Sequence, residues 1–359
     1  MFDIESHKGM YRVMFDIPLL KAVKEYVKDT DFLVIDSCVY DKYPVFREYA
    51  DDDKIYILRA SEDTKTLETC KELIDVLISR GFKRNHKLIA VGGGITQDVT
   101  SFTASILFRG VGWKFFPTTL LAQADSCIGS KTSINFSNTK NLLGSFHPPE
   151  QIICCTEFLK TLSTNDIKSG IGEMLHYFIY ANSNLLEDIS KEYRQLIEKP
   201  CELMGRYIKE SLSIKKEMVQ RDEFDKRERR VFNYGHTFGH AIESLSGYEV
   251  SHGIAVTIGM DIANYVALKN NIIDEEIYLY FHKYLEKNLV SYHIGSDRID
   301  EYCKLLMKDK KNTDSDIVCI LPHGIKDLRV TKVSDNGNAG ITIGKLKSDL
   351  MDYMEEKCL

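Results

Sequence analysis

The sequence predicts an α/β domain followed by a mainly helical domain. In the first part, short apolar runs at 31–39, 54–60 and 86–94 are bounded by turn or charged residues, as buried strands are. Between the last two runs, apolar residues recur with a 3.6-residue period, and Gly81 ends that pattern as a helix-terminating residue. The order strand, helix, strand predicts a parallel sheet with crossover helices.

Long amphipathic patterns take over after about residue 157. They predict helices at 164–182, 202–222, 229–246 and 252–269, with a strand-like run at 316–322. We therefore assign residues 1–157 to the α/β domain and residues 158–359 to the helical domain. A cleft between two such domains is a favoured ligand site.

Composition narrows the class of protein. The 359-residue chain has a net charge of −6 and only short basic clusters, which gives no sign of a nucleic-acid partner. No apolar run approaches the ~18 residues that a membrane span needs, and the N-terminal segment lacks the apolar core of a signal peptide. The nine cysteines show no CxxC spacing, as in a reducing compartment. We expect a cytoplasmic protein with no membrane partner.

A glycine-rich turn, VGGGITQDVTSF at 91–102, stands between a predicted strand and a predicted helix. Glycines let a ligand approach the backbone, and a helix N-terminus offers N–H groups to a phosphate. The spacing is not GxGxxG, so an ordinary strand–turn–helix corner fits equally well. Asp98 is either a favourable charge in the first helical turns or a cofactor contact.

The segment 117–149 is dense in Ser, Thr, Asn and Gly, and it contains Lys131, Lys140 and Asn141. It reads as a long loop, and a loop of this length in a compact domain is usually functional or disordered. Its apolar residues argue against disorder. Lysines among hydroxyl and amide groups suit a phosphorylated ligand, whereas a solvated surface loop is the alternative.

A polar stripe marks the predicted helix at 229–246. Arg229, Asn233, His236, His240 and Glu243 follow one another at steps of 4, 3, 4 and 3, which places them on one helical face. Such a stripe also fits a solvated surface, but Asn and paired His are unusual choices for one. Histidines four residues apart can share a metal.

Two further residues complete a candidate metal site. His252 opens the next predicted helix and can fold back to the same point. Glu173 lies between glycines and apolar residues in GIGEMLHYF, a costly place for an unpaired carboxylate. Histidine and carboxylate ligands with an open position are typical of catalytic zinc.

Together these segments resemble the 3-dehydroquinate synthase and sugar phosphate cyclase family. The likeness covers roughly residues 31–325 in the family's order. Its motifs are SEDTKT, GGGITQDV, FRGVGWKFFPTTLLAQADSCIGSKTSIN, KNLLGSF, GIGEMLHY, KKEMVQRDEF with RERRVFNYGHTFGHAIE, GYEVSHG and KDKK. Each motif alone is modest, whereas eight in register are specific. The resemblance implies a Rossmann-like α/β domain that binds NAD and a helical domain that binds a metal.

The resemblance also implies site residues. Those implied to bind NAD are Asp36, Glu62, Lys65, Gly93, Gly94, Asp98, Thr118, Thr119 and Asp125, the last also as a substrate contact. Those implied to hold a divalent metal, zinc or alternatively cobalt, are Glu173, His236 and His252. Those implied to bind a sugar phosphate are Lys131, Lys140, Asn141, Lys215, Arg229, Asn233, His240 and Lys310. Arg109 is implied to reach a phosphate across the interface of a homodimer.

The implied reaction combines redox and lyase chemistry. A ring hydroxyl is oxidised transiently with NAD, which acidifies the neighbouring C–H, and phosphate is then eliminated. The ketone is reduced back, the ring opens, and an aldol closure forms the carbocycle. The metal polarises substrate oxygens, and NAD is regenerated.

Three positions depart from the family's usual residues. His176 stands where lysine is usual, Ile254 where glutamate is usual, and Cys38 where asparagine is usual. His176 follows Glu173 by one helical turn, so we expect it to line the site as a catalytic residue. Its imidazole is shorter than a lysine side chain and titrates near neutral pH.

The expected substrate class rests on residues that keep the family's usual types. Lys215, Arg229 and Asn233 keep the types found in dehydroquinate synthases, where Lys215 and Arg229 are implied to hold a carboxylate. The sequence therefore favours a phosphorylated 2-keto-3-deoxy acid sugar. A metal-dependent polyol dehydrogenase is one alternative, although it needs no phosphate-binding lysines. A binding or regulatory homologue with altered catalysis is the other, motivated by His176 and Ile254.

Overall fold

The structure is a computed structural model that describes residues 1–137, 139–290, 292, 294–307, 316–335 and 340–357. The chain separates into two compact units. The first comprises Met1–Ser163 with Lys199–Phe224, and the second comprises Thr164–Glu198 with Asp225–Leu359. The sheet-containing unit thus takes in 199–224, a segment C-terminal to the predicted boundary at 157/158. No helix among the described residues is both long enough and apolar enough to cross a bilayer.

Among its described residues, the first unit has nine strands. They are β1 Phe2–Ser6, β2 Gly9–Met14, β3 Phe32–Asp36, β4 Ile55–Leu58, β5 Leu88–Gly92, β6 Trp113–Pro117, β7 Lys131–Phe136, β8 Thr139–Phe146 and β9 Gln151–Ile153. Seven form one sheet in the order β1-β2-β9-β6-β5-β3-β4, and β7 pairs with β8. Only β1 and β2 are antiparallel within the seven-stranded sheet. The predicted parallel sheet is confirmed.

The helices of the first unit are α1 Leu19–Tyr26, α2 Ser37–Lys42, α3 Val45–Tyr49, α4 Leu67–Ser79, α5 Gly94–Ile106 and α8 Pro200–Arg221. The sequence predicted α4, and Gly81 ends it as expected with φ +78°. Gly81 N–H donates to the Ile78 carbonyl and Phe82 N–H to the Leu77 carbonyl, which satisfies the last carbonyls of the helix.

Two local predictions in this unit were wrong. The strand predicted at 31–39 stops at Asp36, because the Asp36 carboxylate accepts the Cys38 N–H at 2.8 Å and caps α2. The segment 117–149 is not a long loop, since it contains a π-helical turn, Ala122–Ser126, and the β7–β8 hairpin. Its alternating burial is carried partly by Thr and Ser, so hydrophobic periodicity did not reveal the strands.

The second unit is mainly helical. Its elements are α6 Thr164–Ala181, α7 Leu185–Glu198, α9 His236–Leu245, α10 His252–Lys269, α11 Glu275–Leu285, α12 Ile299–Met307 and α13 Ile343–Lys357, with the hairpin β10 Ile317–Gly324 and β11 Asp327–Val333. Helix α10 is buried on nearly all faces and packs against α6, α9, α11, α13 and β10. It is the centre of this unit's core.

Helices α6 and α10 meet backbone to backbone. A Cβ placed on Gly172 would overlap the Gly253 carbonyl, and one placed on Gly253 would overlap the Ser169 carbonyl. Any other residue would force the two helices apart. This contact lies next to Glu173 and His252, one on each helix.

The helix predicted at 229–246 is broken in the structure. Glu228–Asn233 form a 3₁₀ segment, Gly235 takes a left-handed φ of +79°, and α9 begins at His236. Arg229 and Asn233 therefore do not continue the helical face of His236, and the predicted single stripe was wrong. The apolar pattern runs across the break, so it could not reveal the change of backbone direction.

We predict that Gly235→Ala destabilises the protein by about 3 kcal/mol. The left-handed conformation disfavours a side chain, and the new Cβ would lie 2.5 Å from Met260 Cγ and 2.7 Å from the Val256 carbonyl oxygen. Thermal and urea unfolding measure the effect.

Gly247→Ala is the matched control, because Gly247 has φ +61° and a Cβ added there would meet no atom within 4 Å. This variant introduces the backbone strain alone, about 1 kcal/mol. Equal losses in the two variants would contradict the proposed clash at Gly235.

Candidate functional site

A buried carboxylate anchors the candidate site of the second unit. Glu173 in α6 is 1% exposed. Its Oε1 atom lies 3.0 Å from His252 Nε2 and 3.5 Å from His236 Nε2. The sequence-predicted trio therefore comes together, from three different helices.

Both imidazoles are oriented by their second nitrogen. His252 Nδ1 donates to Glu243 Oε2 at 2.9 Å, and His236 Nδ1 donates to the Tyr234 carbonyl oxygen at 3.2 Å. These acceptors orient the rings so that both Nε2 atoms face Glu173, and a neutral imidazole would then offer its Nε2 lone pair to a metal. A carboxylate or carbonyl behind each histidine is the usual support of a metal-binding imidazole.

The geometry fits a tetrahedral cation. Ligand bonds of about 2.1 Å place neighbouring ligands of zinc about 3.4 Å apart, close to the two separations seen here. Within the described part of the chain, Glu173 Oε1 receives no well-directed hydrogen bond despite its burial. One nitrogen atom from each histidine and one carboxylate oxygen lie within 4.8 Å of one another. Two nitrogens and one oxygen suit zinc or cobalt.

The electrostatics favour positive charge at this point. Burial alone would lower the pKa of His252, but the Glu243 and Glu173 carboxylates outweigh it and raise that pKa well above its usual value. The centre therefore attracts a cation.

A second set of potential ligands overlaps the first. His240, Glu243 and His252 also lie within mutual ligand distance. This set would use the Glu243 carboxylate, which is already engaged by the His252 ring. The Glu173 set offers better-directed lone pairs, and we infer that Glu243 supports His252. The His240 ring stacks on that of His252, with centroids 5.6 Å apart.

We predict that Glu243→Gln weakens Zn²⁺ binding by about 10- to 100-fold, because the amide is a weaker acceptor for His252 Nδ1–H. Metal titration with a chromogenic competitor measures the change. Glu249→Gln, at an exposed position in the turn between α9 and α10, is the control. Glu173→Gln should weaken Zn²⁺ binding more than Glu243→Gln does, because Glu173 would supply a ligand oxygen. The reverse order would show that His240, Glu243 and His252 hold the metal.

His176 is fully buried and lies among aromatic rings. Its ring centroid is 4.7 Å from that of Tyr177, 5.5 Å from Phe232 and 5.4 Å from His236. It follows Glu173 by one turn of α6, as the sequence predicted. Its edge contact with His236 makes it part of the packing around the metal ligands.

In the first unit, candidate cofactor residues gather at the carboxyl ends of adjacent parallel strands. Asp36 ends β3, Gly93 follows β5, and Thr118 and Thr119 follow β6. A Cβ on Gly93 would lie 2.9 Å from Thr119 Cγ2, so a side chain would fill this cradle. Gly94 begins α5, whose N-terminal N–H groups face the same edge. The arrangement fits a dinucleotide phosphate.

Asp98 is held by a buried lysine. Its Oδ2 pairs with Lys65 Nζ at 2.5 Å, and Ser133 donates through its N–H at 3.1 Å. Burial raises the pKa of Asp98, and Lys65 and Ser133 oppose that shift. The Asp98 carboxylate is therefore held in place by an ion pair and a hydrogen bond, and its role is not limited to a favourable charge near a helix N-terminus.

The β7–β8 hairpin contains two further lysines that the sequence predicted to bind a ligand. Lys131 is exposed at the start of β7, and Lys140 Nζ in β8 lies 3.6 Å from Glu62 Oε1. Asn141 is exposed, and its Oδ1 accepts from Lys65 Nζ at 2.6 Å.

Lys215 in α8 is buried and fixed by Asp125. Its Nζ donates to Asp125 Oδ1 and to the Asp125 carbonyl oxygen, each at 2.8 Å. An ammonium group has three N–H donors, so a third can serve a ligand oxygen.

The other predicted substrate residues are placed separately. In the second unit Arg229 is buried, and Asn233 Nδ2 donates to the Arg230 carbonyl at 2.9 Å. In the first unit Arg109 is exposed after α5, with a left-handed φ of +66°. Lys310 lies outside the described residues.

Glu223 supports the backbone next to Lys131. It accepts from Ser130 Oγ and Ser6 Oγ, each at 2.5 Å, and from the His7 N–H at 2.9 Å. Burial raises its pKa, but these hydrogen bonds outweigh burial, so the pKa of Glu223 lies below its usual 4.5.

We predict that Glu223→Gln costs about 2 kcal/mol near neutral pH, since hydrogen bonds to a charged acceptor are lost. A depressed carboxyl pKa stabilises the fold above the unfolded value and loses that effect as pH falls through the folded value. The difference from wild type should stay constant down to about pH 5.5 and shrink below 4.5. Urea unfolding across this range measures it. Glu217→Gln, in an exposed pair with Arg221, should show no such trend.

Sequence reasoning missed the supporting role of Glu243. Its position three residues after His240 was visible, but which nitrogen of His252 it faces depends on the fold. The acceptor behind His236 is the backbone carbonyl of Tyr234, so no residue type in the sequence could indicate it.

Comparison with known proteins shows that the chain matches one protein family over most of its length. Residues 55–169 match the N-terminal model of 3-dehydroquinate synthase, and residues 170–312 match its C-terminal model. The 3-dehydroquinate synthase of Dictyoglomus thermophilum is 34% identical over 336 residues, covering 92% of this chain and 93% of the relative.

Solved structures agree in fold. A 2-deoxy-scyllo-inosose synthase complexed with carbaglucose-6-phosphate, NAD⁺ and Co²⁺ has a TM-score of 0.84 at 25% identity, covering 98% of this chain and 99% of that one. The 2-epi-5-epi-valiolone synthase of Streptomyces hygroscopicus, with NAD⁺ and Zn²⁺ bound, has a TM-score of 0.82 at 24% identity, covering 96% and 97%.

Proposed function

The chain belongs to the 3-dehydroquinate synthase family, and we propose that it is a sugar phosphate cyclase acting on a phosphorylated 2-keto-3-deoxy acid sugar. The reaction would eliminate phosphate and close a carbocycle, which makes the enzyme a carbon–oxygen lyase. The observation that carries the proposal is the convergence of Glu173, His236 and His252 with both Nε2 atoms directed at one carboxylate oxygen.

Glu173, His236 and His252 would hold zinc or cobalt, and the residues around Gly93 and Asp98 would hold NAD. When bound, NAD supplies a hydride acceptor and donor, and the metal supplies a Lewis acid for substrate oxygens.

The side chains of the protein do the positioning. Glu243 keeps the Nε2 lone pair of His252 directed at the metal position. Lys131 and Lys140 supply positive charge for a phosphate that leaves as an anion, where preorganised cations lower the barrier. Asp125 fixes the Lys215 ammonium, so it can orient a substrate oxygen without first being ordered.

The preference for a keto acid rests on two buried cations. Lys215 and Arg229 are each 6% exposed. Lys215 is paired with Asp125 Oδ1 at 2.8 Å, so its third N–H donor would orient a ligand oxygen, and a keto acid brings a carboxylate that a neutral sugar phosphate lacks. We assign these side chains, with Asn233 and His240, to the substrate.

The chain is further proposed to work as a cytoplasmic homodimer. The described cysteines are free thiols, as in a reducing compartment. Arg109 presents its side chain on an exposed, left-handed turn and is assigned to a phosphate of the partner's site. Sedimentation analysis tests the dimer.

With NAD⁺ and Zn²⁺, we expect phosphate release from 3-deoxy-arabino-heptulosonate 7-phosphate with no net NADH absorbance. Glucose 6-phosphate, which lacks the carboxylate, should react about 100-fold more slowly or not at all. A phosphate assay with product identification measures this, and His236→Ala is the negative control.

Failure with every member of a sugar phosphate panel, while NAD and metal are shown to be bound, would refute the cyclase. Net NADH formation from glycerol would instead support a polyol dehydrogenase.

A further inference from the structure

Asn135 in β7 links three of the residues assigned to ligands. Its Nδ2 donates to Glu62 Oε1 at 2.8 Å and to the Glu62 carbonyl at 3.3 Å. Its Oδ1 accepts the Asn141 N–H at 2.9 Å, and its own N–H donates to the Lys65 carbonyl at 2.8 Å. One half-buried side chain therefore joins the segment before α4 to both strands of the hairpin.

The chemistry of the contacts suits an amide, which offers a donor and an acceptor on one planar group. Glu62 offers only acceptors, and the Asn141 N–H is only a donor, so the linking side chain must both donate and accept. Aspartate at position 135 would keep the bond from Asn141 but would set a second carboxylate against Glu62. Alanine would remove both bonds.

The link also holds the backbone of Asn141 in place, while Lys65 and Ser133 determine which end of its amide is left for a ligand. Asn141 has a left-handed φ of +51°, and the bond to Asn135 holds its backbone there. Its Oδ1 accepts from Lys65 Nζ at 2.6 Å and from Ser133 Oγ at 3.0 Å. With the carbonyl engaged, the Asn141 NH₂ group is the part of the amide that can donate to a substrate oxygen.

The contacts of Asn135 also connect two ion pairs, Glu62 with Lys140 and Lys65 with Asp98. Glu62 receives the Asn135 bond and lies 3.6 Å from Lys140 Nζ. Lys65 divides its donors between Asn141 and Asp98. A shift of Asn135 would therefore move a carboxylate and an amide assigned to different ligands.

We propose that Asn135 is a positioning residue that holds Glu62 for the cofactor and the Asn141 amide for the sugar phosphate, so that both ligands depend on one side chain. The assignment of these ligands rests on the function proposed above. Asn135 itself touches neither ligand in this proposal.

Asn135→Asp tests the link through binding. We expect the Kd for NAD⁺, measured by calorimetry, and the KM for the sugar phosphate each to rise about tenfold, the loss typical of one hydrogen bond to a charged group. The kcat should change less than KM. Thr139→Ala, at an exposed position of the same hairpin, should leave both constants unchanged.

A double-mutant cycle isolates the contact with Glu62. In a Glu62→Gln background, the new glutamine amide can donate to the new aspartate carboxylate, which restores the bond with reversed polarity. Asn135→Asp should therefore raise the Kd for NAD⁺ by a factor at least about threefold smaller in that background than in wild type.

Three results would overturn the proposal. They are an unchanged Kd for NAD⁺ in Asn135→Asp, an unchanged KM for the sugar phosphate in that variant, and an equal penalty on the Kd in both backgrounds. In the first two cases a lower melting temperature would show that Asn135 is a structural residue only.

The outcomes separate the two proposals. A wild-type chain that binds NAD⁺ but releases no phosphate refutes the cyclase, while the NAD⁺ affinities still decide the role of Asn135. A wild-type chain that binds no NAD⁺ overturns both.

Discussion

The candidate metal centre depends on the contact between the backbones of α6 and α10. Gly172 and Gly253 have no Cβ, and any side chain there would overlap a main-chain carbonyl of the other helix. Because the helices come this close, Glu173 reaches His252 without leaving the buried interior. The histidine of α9 then completes the group, so three helices are held together around a single carboxylate.

That carboxylate explains the polarity of its surroundings. Removing a charge from water costs several kcal/mol unless other charges or hydrogen bonds compensate it. Here two imidazoles face Glu173, and acceptors behind them, Glu243 and the Tyr234 carbonyl, keep those rings oriented. The site is therefore organised in two layers before any ligand arrives, which reduces the reorganisation that binding requires.

The sequence predicted the features that depend on residue type and local period. The mostly buried strands β3 and β5 and the apolar helix α10 have strong local patterns. The candidate metal ligands stood out because few residue types bind metals, and the family resemblance singled out Glu173, His236 and His252 among them. The break at Gly235 escaped prediction because the apolar pattern continues across it. The roles of Glu243 and Asn135 could not be predicted for another reason. Each acts through the direction of one lone pair or N–H, which only the folded chain defines. The roles assigned to individual substrate residues stay predictions, and Lys310 lies outside the described structure.

The left-handed residue before α9 divides this part of the chain into two registers. His236 and His240 move with α9, whereas Arg229 and Asn233 belong to the 3₁₀ segment before Gly235. In a continuous helix, inserting one residue before His236 would rotate every earlier side chain by about 100° relative to the metal ligands. With the break, the orientation of Arg229 and Asn233 is set by the 3₁₀ segment and not by the register of α9. The residues proposed for the substrate can therefore change orientation without a change in the register of the proposed metal ligands.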